Sequence, residues 1–152
     1  MRTRQATPDD RPFVLDTARR LADFPVPAGR TAAEIVNGEV RTLELFFAGA
    51  LADVALFVAV DDDRRLGFAF VETATDYFTG ERHGHLGIIA VAAGEEGRGA
   101  GAALMEACEA WARGRGFRRF TLNVFEPNAR ARALYERRGY RPETVRYVRY
   151  LE

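Results

Sequence analysis

The chain contains no lysine, so all 22 of its basic residues are arginine, and they are matched by 22 aspartate and glutamate residues. The phosphate loop of Walker-type nucleotide hydrolases needs a lysine, so this class is excluded. A net charge of zero also removes the electrostatic basis for binding nucleic acid or an anionic membrane. We therefore expect neither nucleic acid nor membrane among the partners of this protein.

Cysteine is almost as scarce as lysine, and long apolar runs are missing. The single cysteine, Cys108, excludes a disulfide within the chain, and its spacing from Leu104 and Trp111 predicts the buried face of a helix. We interpret Cys108 as a core thiol rather than a nucleophile. No apolar run approaches the ~18 residues of a membrane helix, and the polar start MRTRQATPDD does not resemble a signal peptide. We expect a cytoplasmic protein.

The chain has 152 residues, of which 47% are hydrophobic, enough for one domain spanning residues 1–152 with a substantial core. Hydrophobic periodicity, with helix caps at Thr7 and Thr31, predicts the order β-α-α-β-β-β-α-β-α-β. Three successive strands with short connections predict an antiparallel meander, and the later strand–helix–strand unit predicts one parallel pair. The predicted fold class is α/β (α+β), a mixed, largely antiparallel central sheet with helices on both faces. The predicted strands span residues 2–6, 54–60, 66–75, 83–91, 120–125 and 145–151, and the predicted helices span 8–22, 32–47, 101–115 and 129–139.

Four glycines fall within residues 94–101, between a predicted strand and a predicted helix. A helix N-terminus offers unpaired N–H groups and a partial positive charge, and glycine leaves that backbone bare for an anion. Residues 97–102 (GRGAGA) therefore predict a pyrophosphate cradle, to which Arg98 would add a full charge; the alternative is an ordinary glycine-rich turn. The spacing G-x-G-x-G, which follows a meander rather than a βαβ unit, fits a dinucleotide-binding fold poorly.

Residues 86–102 and 123–140 carry two longer patterns. The first has the form Gln/Arg-x-x-Gly-x-Gly/Ala after the fourth strand, except that Glu96 occupies its first position. The second has Asn128 at the mouth of a helix and Tyr135 seven residues later. These patterns resemble motifs A and B of the GNAT family of N-acetyltransferases, whose order of elements is also the one predicted above. The resemblance implies an acyl-CoA N-acyltransferase fold, with acetyl-CoA as co-substrate and no metal.

The resemblance also implies which residues contact acetyl-CoA. Its pyrophosphate would be held by backbone N–H groups of six residues: Gly97, Arg98, Gly99, Ala100, Gly101 and Ala102. The fourth and fifth strands would splay, and the pantetheine arm would lie between them against Ile89, Ala90 and Val91. The cofactor site would be completed by Asn128, Ala131 and Tyr135. Glu96 departs from the family pattern because it brings a negative charge near the phosphates.

Acetyl transfer to an amine needs an acid for the leaving thiolate and a base for the amine. Tyr135 stands where the family has its acid; the alternative is aromatic packing. For the base, strand alternation predicts that His85 shares a face with Ile89 and Val91, and an ordinary imidazole pKa suits the role. A solvated histidine is the alternative, in which case Glu72 on the neighbouring strand, or a water chain, would serve as base.

The acceptor amine should lie beside the proline-containing loop at residues 23–30 and the hairpin at residues 76–78. Three aromatic residues there could form a wall of the acceptor site, with ordinary packing as the alternative: Phe24, Tyr77 and Phe78. The predicted function is transfer of an acetyl group to a primary amine of a small molecule, peptide or protein, by direct attack in a ternary complex. The alternative is a non-catalytic acyl-CoA-binding or sensing module of the same fold.

The C-terminal segment 145–151 (VRYVRYL) carries apolar residues on both faces of a predicted strand. A strand near a sheet edge with two such faces can pair with a second subunit. The segment therefore predicts a homodimer.

Overall fold

The fold is built around one five-stranded sheet whose strands follow one another in chain order. In the computed structural model, which describes all residues from 1 to 152, the first four strands pair antiparallel and the last two pair parallel. The mixed, largely antiparallel sheet is therefore confirmed. The strands are β1 (Arg2–Gln5), β2 (Val54–Asp61), β3 (Arg64–Thr75), β4 (Arg82–Val91) and β5 (Phe120–Leu122).

Four α-helices cover the two faces of this sheet. They are α1 (Arg11–Thr17), α2 (Ala32–Phe47), α3 (Ala100–Gly114) and α4 (Ala129–Arg137). Helices α1 and α2 pack with Phe68 and Phe70 of β3 in one core cluster, and helices α3 and α4 pack with Leu86 of β4 in the other. The prediction of helices on both faces is confirmed. None of the helices has the length and apolar character that crossing a bilayer requires.

The first predicted helix, residues 8–22, is divided into three pieces. A 3-10 segment at Pro8–Asp10 precedes α1, and a second one at Ala18–Ala22 follows it. Pro12 has no N–H to donate to the carbonyl of Pro8, so a regular α-helix cannot run through this turn. The α-helix therefore begins only at Arg11, with proline in its first turn.

Cys108 lies fully buried on α3, in the core between this helix and the sheet. Burial raises the pKa of its thiol to about 12, which keeps the sulfur protonated and unreactive at neutral pH. The interpretation of Cys108 as a core thiol is confirmed.

A β-bulge interrupts β4 at its centre. Phe70 on β3 lies opposite Ile88, but the next residue, Val71, lies opposite Leu86, so Gly87 is the extra residue. Beyond the bulge the alternation is reversed: Ile89 and Leu86 both pack on the α3–α4 face although they are three positions apart, a spacing that puts residues of a regular strand on opposite faces. His85 therefore points to the α1–α2 face, and the prediction that it shares a face with Ile89 is wrong.

The C-terminal segment does not form the predicted strand. Residues 145–151 pair with no strand, and the side chains of Tyr147 and Leu151 are 91% and 86% exposed. The neighbouring strand β5 is only three residues long, so it offers a short ladder for a sixth strand to join. The ring of Tyr150 instead lies close to the backbone of Gly29 in the 23–30 loop.

Candidate active site

The glycine-rich loop after β4 leads directly into the N-terminus of α3. Gly97 and Gly99 have φ angles of 76° and 85°, a left-handed conformation that glycine adopts without strain, and Gly99 is the N-cap of α3. Apart from its own chain neighbours, nothing lies within 4 Å of the position that a Cβ on Gly97 would occupy. The loop therefore offers bare backbone beside the unpaired N–H groups of a helix start, which fits a pyrophosphate.

Gly101 differs from these two glycines because it lies inside α3 with an ordinary helical φ. A Cβ at this position would lie 3.9 Å from both Val91 at the end of β4 and Leu134 on α4. The small residue therefore marks the point at which the start of α3 meets the end of β4 and the middle of α4.

The charged side chains around the loop are paired with one another. The guanidinium of Arg98 donates to Glu95 at 2.7 Å and to Asp61 at 2.9 Å, so its charge is offset by two carboxylates. Glu96 accepts a 2.5 Å hydrogen bond from Arg20, which approaches from the 3-10 segment after α1. The full charge that the sequence predicts for Arg98 is therefore paired with two carboxylates beside the loop.

Strands β4 and β5 pair over only three residues. The parallel ladder joins the β4 segment at 84–86 to the β5 segment at 120–122, and beyond Leu86 the strand β4 has no partner on this side. Ala92 donates its N–H to the carbonyl of Leu66 on β3. The backbone N–H and C=O of the adjacent Val91 therefore point away from β3, to the side on which β4 has no partner. The carbonyl of Val91 accepts a 2.6 Å hydrogen bond from Arg20. The strands thus splay beside the glycine-rich loop.

Tyr135 lies on α4, which Asn128 caps by accepting a 3.3 Å hydrogen bond from the N–H of Ala131. The tyrosine is 9% exposed, and burial raises the pKa of its phenol. Its ring contacts Tyr140 edge-on at a centroid distance of 6.2 Å. The hydroxyl has no hydrogen-bond partner in the protein, and its oxygen is not fully buried. Its oxygen is therefore reachable from solvent.

A row of polar side chains crosses β3, β4 and β5 on the α1–α2 face. Glu72 and Thr121 are the cross-strand partners of His85 on either side. Nδ1 of His85 lies 2.7 Å from the Thr121 hydroxyl oxygen, and Nε2 of His83 lies 3.1 Å from the same oxygen. Burial, together with the nearby His83, lowers the pKa of His85, which is therefore a neutral imidazole at pH 7.

Two carboxyl groups on the same face are partly desolvated. Burial raises the pKa of Glu72, and on α2 burial and the charge of Glu72 together raise the pKa of Glu39. The α1–α2 face next to His85 therefore holds acids whose charged forms are poorly solvated.

The three aromatic residues predicted for the acceptor site form two separate pairs. Phe24 stacks on Phe125 at a centroid distance of 5.6 Å, and Tyr77 contacts Phe78 edge-on at 5.2 Å. Tyr77 and Phe78 are 92% and 87% exposed on the β3–β4 hairpin. No aromatic contact joins Phe24 to the hairpin pair, so the three do not form one continuous wall.

Two residues of the site escaped the sequence analysis. Thr121 could have been identified, because it alternates with Phe120 and Leu122, two apolar residues that face α3 and α4. Arg20 carried no local signal, because 76 residues separate it from Glu96.

Solved structures of other proteins share this architecture. A mutant form of a Bacillus halodurans protein matches with a TM-score of 0.78 and 17% identity, with 100% of both chains covered. An aminoglycoside antibiotic 6'-N-acetyltransferase of Acinetobacter haemolyticus matches with a TM-score of 0.69 and 15% identity, also over 100% of both chains. At such low identity these similarities establish the fold.

Sequence comparison identifies the family. A mycothiol acetyltransferase of Beutenbergia cavernae is 35% identical over 129 residues, which are 84% of this chain but only 40% of that relative's length. The model of the acetyltransferase (GNAT) family matches residues 23–140, well over half of the chain. The protein therefore belongs to the GNAT family of acetyltransferase enzymes.

Proposed function

We propose that the chain is a single-domain N-acetyltransferase that moves an acetyl group from acetyl-CoA to a primary amine by direct attack in a ternary complex. The observation that carries the proposal is the convergence of three elements beside the open edge of β4. A Cβ on Gly101 would lie 3.9 Å from Val91 and from Leu134, so the anion-binding start of α3, the splayed strand and the helix of Tyr135 meet at one point. Membership of an acetyltransferase family supports the same function.

In this proposal the backbone holds the co-substrate. The N–H groups of residues 97–102 bind the pyrophosphate, and the pantetheine arm follows the free edge of β4 past Val91, Ala90 and Ile89 towards the bulge at Gly87. Asn128 and Ala131, in the first turn of α4, border the arm on its other side. Acetyl-CoA supplies an activated thioester, and the backbone N–H near Val91 is the proposed donor to the oxyanion.

Tyr135 is the proposed general acid, which protonates the thiolate of coenzyme A as it leaves. The raised pKa keeps its phenol protonated at neutral pH, and its hydroxyl has no competing hydrogen-bond partner in the protein. A proton donor needs both properties.

His85 is the proposed general base for the amine. Because Thr121 has one hydroxyl proton, it can donate to only one of the two imidazoles and must accept from the other. We assign the donation from Nδ1–H of His85 to Thr121, with the Thr121 hydroxyl donating to Nε2 of His83. This arrangement leaves Nε2 of His85 free to accept the proton of the amine. Glu72, the cross-strand neighbour of His85, is the second candidate for the base.

The acceptor approaches from the α1–α2 face, on which His85 lies. The proposed borders of the acceptor site are Phe24 in the 23–30 loop and the exposed pair Tyr77 and Phe78 on the β3–β4 hairpin. One similar protein is named a mycothiol acetyltransferase, and another is named an aminoglycoside antibiotic 6'-N-acetyltransferase. A small-molecule amine is therefore the first acceptor class to test.

The experiment that tests the proposal compares Tyr135→Phe with Tyr140→Phe in an assay of amine-dependent thiol release. Tyr135→Phe removes only the hydroxyl, so kcat should fall by about 10²–10⁴ while the Kd for acetyl-CoA is unchanged. Tyr140→Phe is the matched control because its hydroxyl is engaged with Glu109 at 2.7 Å, away from the proposed proton transfer. Full activity in Tyr135→Phe would contradict the proposed acid.

A further inference from the structure

Arg20 connects two parts of the co-substrate site that lie far from it in sequence. Its Nη1 donates to the carbonyl of Val91 at 2.6 Å, and its Nη2 donates to Glu96 at 2.5 Å. The Arg20 and Glu96 side chains are each 29% exposed, so the pair is partly shielded from solvent. Nε of Arg20 also lies 3.4 Å from Asp23. One side chain thus joins the end of β4 to the residue immediately before the glycine-rich loop.

Glu96 carries a full negative charge in this position. Its own backbone N–H, together with Arg20, holds the pKa of its carboxyl below the usual range. The other cations near the loop are already paired: Arg98 with Glu95 and Asp61, and Arg64 with Glu95. Arg20 is therefore the cation that offsets the charge of Glu96 beside the proposed phosphate site.

We propose that Arg20 is a positioning residue for acetyl-CoA binding, which neutralises Glu96 next to the pyrophosphate cradle and holds the free end of β4. The inference rests on the proposed function, because it takes residues 97–102 to bind a pyrophosphate. It explains how this chain accommodates an acid at the position where the family pattern has glutamine or arginine. The cation that the first position of the motif lacks is supplied by the segment after α1.

The test measures the Kd of acetyl-CoA by calorimetry for four variants of the full chain. Arg20→Met leaves Glu96 unneutralised, so the Kd should rise by about 10-fold at low ionic strength, and high salt should reduce this difference. Glu96→Gln leaves Arg20 with only the exposed and more distant Asp23 as an ion-pair partner, so it should lower the Kd several-fold. The double variant Arg20→Met with Glu96→Gln should return the Kd to within about three-fold of the wild-type value, because the carboxylate beside the loop is removed with its partner and Asp23, which also loses Arg20, is 66% exposed.

The fourth variant, Arg11→Met, is the matched control, because Arg11 forms a 3.0 Å ion pair with Glu44 on the exposed surface of α1 and α2. Its Kd should equal that of the wild type. An unchanged Kd in Arg20→Met, or a double variant as weak as Arg20→Met, would overturn the inference. If Arg20→Met does not fold, Glu96→Gln decides alone: an unchanged Kd overturns the inference.

These outcomes are distinct from failure of the proposed function. Wild-type protein that binds no acetyl-CoA would remove the proposed function, and the inference with it. Wild-type protein that binds acetyl-CoA and is insensitive to Arg20 and Glu96 would remove the inference alone.

Discussion

Replacement of Gly99 by valine separates the role of the glycine-rich loop in binding from its role in folding. Gly99 has φ +85° at the start of α3, and Gly116, just beyond the end of the same helix, has φ +77°. Both substitutions force a β-branched residue into the left-handed region, at a cost of roughly 1–2 kcal/mol each. For a chain of this length, that loss lowers Tm by about 2–8 °C in either variant.

The two variants should differ in their response to acetyl-CoA. At a ligand concentration of about 100 times the wild-type Kd, binding stabilises the folded state by roughly 2.7 kcal/mol, which corresponds to a rise of about 5–10 °C in Tm. Gly116→Val should show this full rise, because α3 places it about 22 Å from the cradle. Gly99→Val should show a rise of less than about 2 °C, because its side chain blocks the approach of phosphate to the backbone.

Differential scanning fluorimetry with and without acetyl-CoA measures both quantities in one experiment. A rise in Tm for Gly99→Val equal to that for Gly116→Val would refute the cradle. Gly101→Ala is a useful third variant, since its helical φ and 3.9 Å clearances admit a methyl group. It should bind acetyl-CoA and gain roughly 0.5–1 kcal/mol of stability from the better helix former. A methyl group should therefore be tolerated at Gly101, whereas valine at Gly99 should block binding.

The remaining predictions concern the base, the core and the assembly. Because burial lowers the pKa of His85, kcat/KM should rise with pH through a midpoint below ~6.5. His85→Gln should lose this rise of kcat/KM with pH, and Glu72→Gln should keep it. The reverse result would assign the base to Glu72. Asp10→Asn should destabilise the fold by roughly 2–3 kcal/mol in urea titrations at pH 7, because it breaks the pairing of a fully buried carboxylate with the partly exposed Arg4 and Arg65. Since these partners hold the pKa of Asp10 well below its usual range, its contribution should begin to shrink as the pH falls below ~3.9 and should vanish only once the pH passes the folded-state pKa; a constant difference down to pH 2 would contradict this. The exposed apolar side chains of residues 145–151 should be covered in a homodimer, which a purely monomeric light-scattering profile at high concentration would exclude.

The parts of the fold that could be predicted from the sequence are those with local signals. The strands of the meander were found because alternation and turn residues are contained within a few positions, and α2 was found because Thr31 and Glu34 form a reciprocal capping box. The loop before α3 was found because a run of glycines has few other physical explanations. The proposed site residues that belong to these elements were therefore predicted together with them.

The parts that could not be predicted depend on partners distant in sequence. The bulge at Gly87 is set by the register with β3, and it moves His85 to the other face without any local sign. The segment at residues 145–151 has the composition of a strand, but β5 spans only three residues and offers it a short ladder. The pairing of Arg20 with Glu96 joins two unrelated segments, and only the folded chain brings them together.

The central claim is that this chain transfers an acetyl group from acetyl-CoA to an amine. Its most direct test is mass spectrometry and thiol detection on wild-type protein incubated with acetyl-CoA and a panel of small-molecule, peptide and protein amines. The account predicts that at least one amine gains 42 Da, the mass of an acetyl group in place of a hydrogen, with release of one equivalent of coenzyme A that Tyr135→Phe slows by about 10²–10⁴. Tight binding of acetyl-CoA without amine-dependent release from any member of the panel would contradict it and favour a non-catalytic acyl-CoA-binding module.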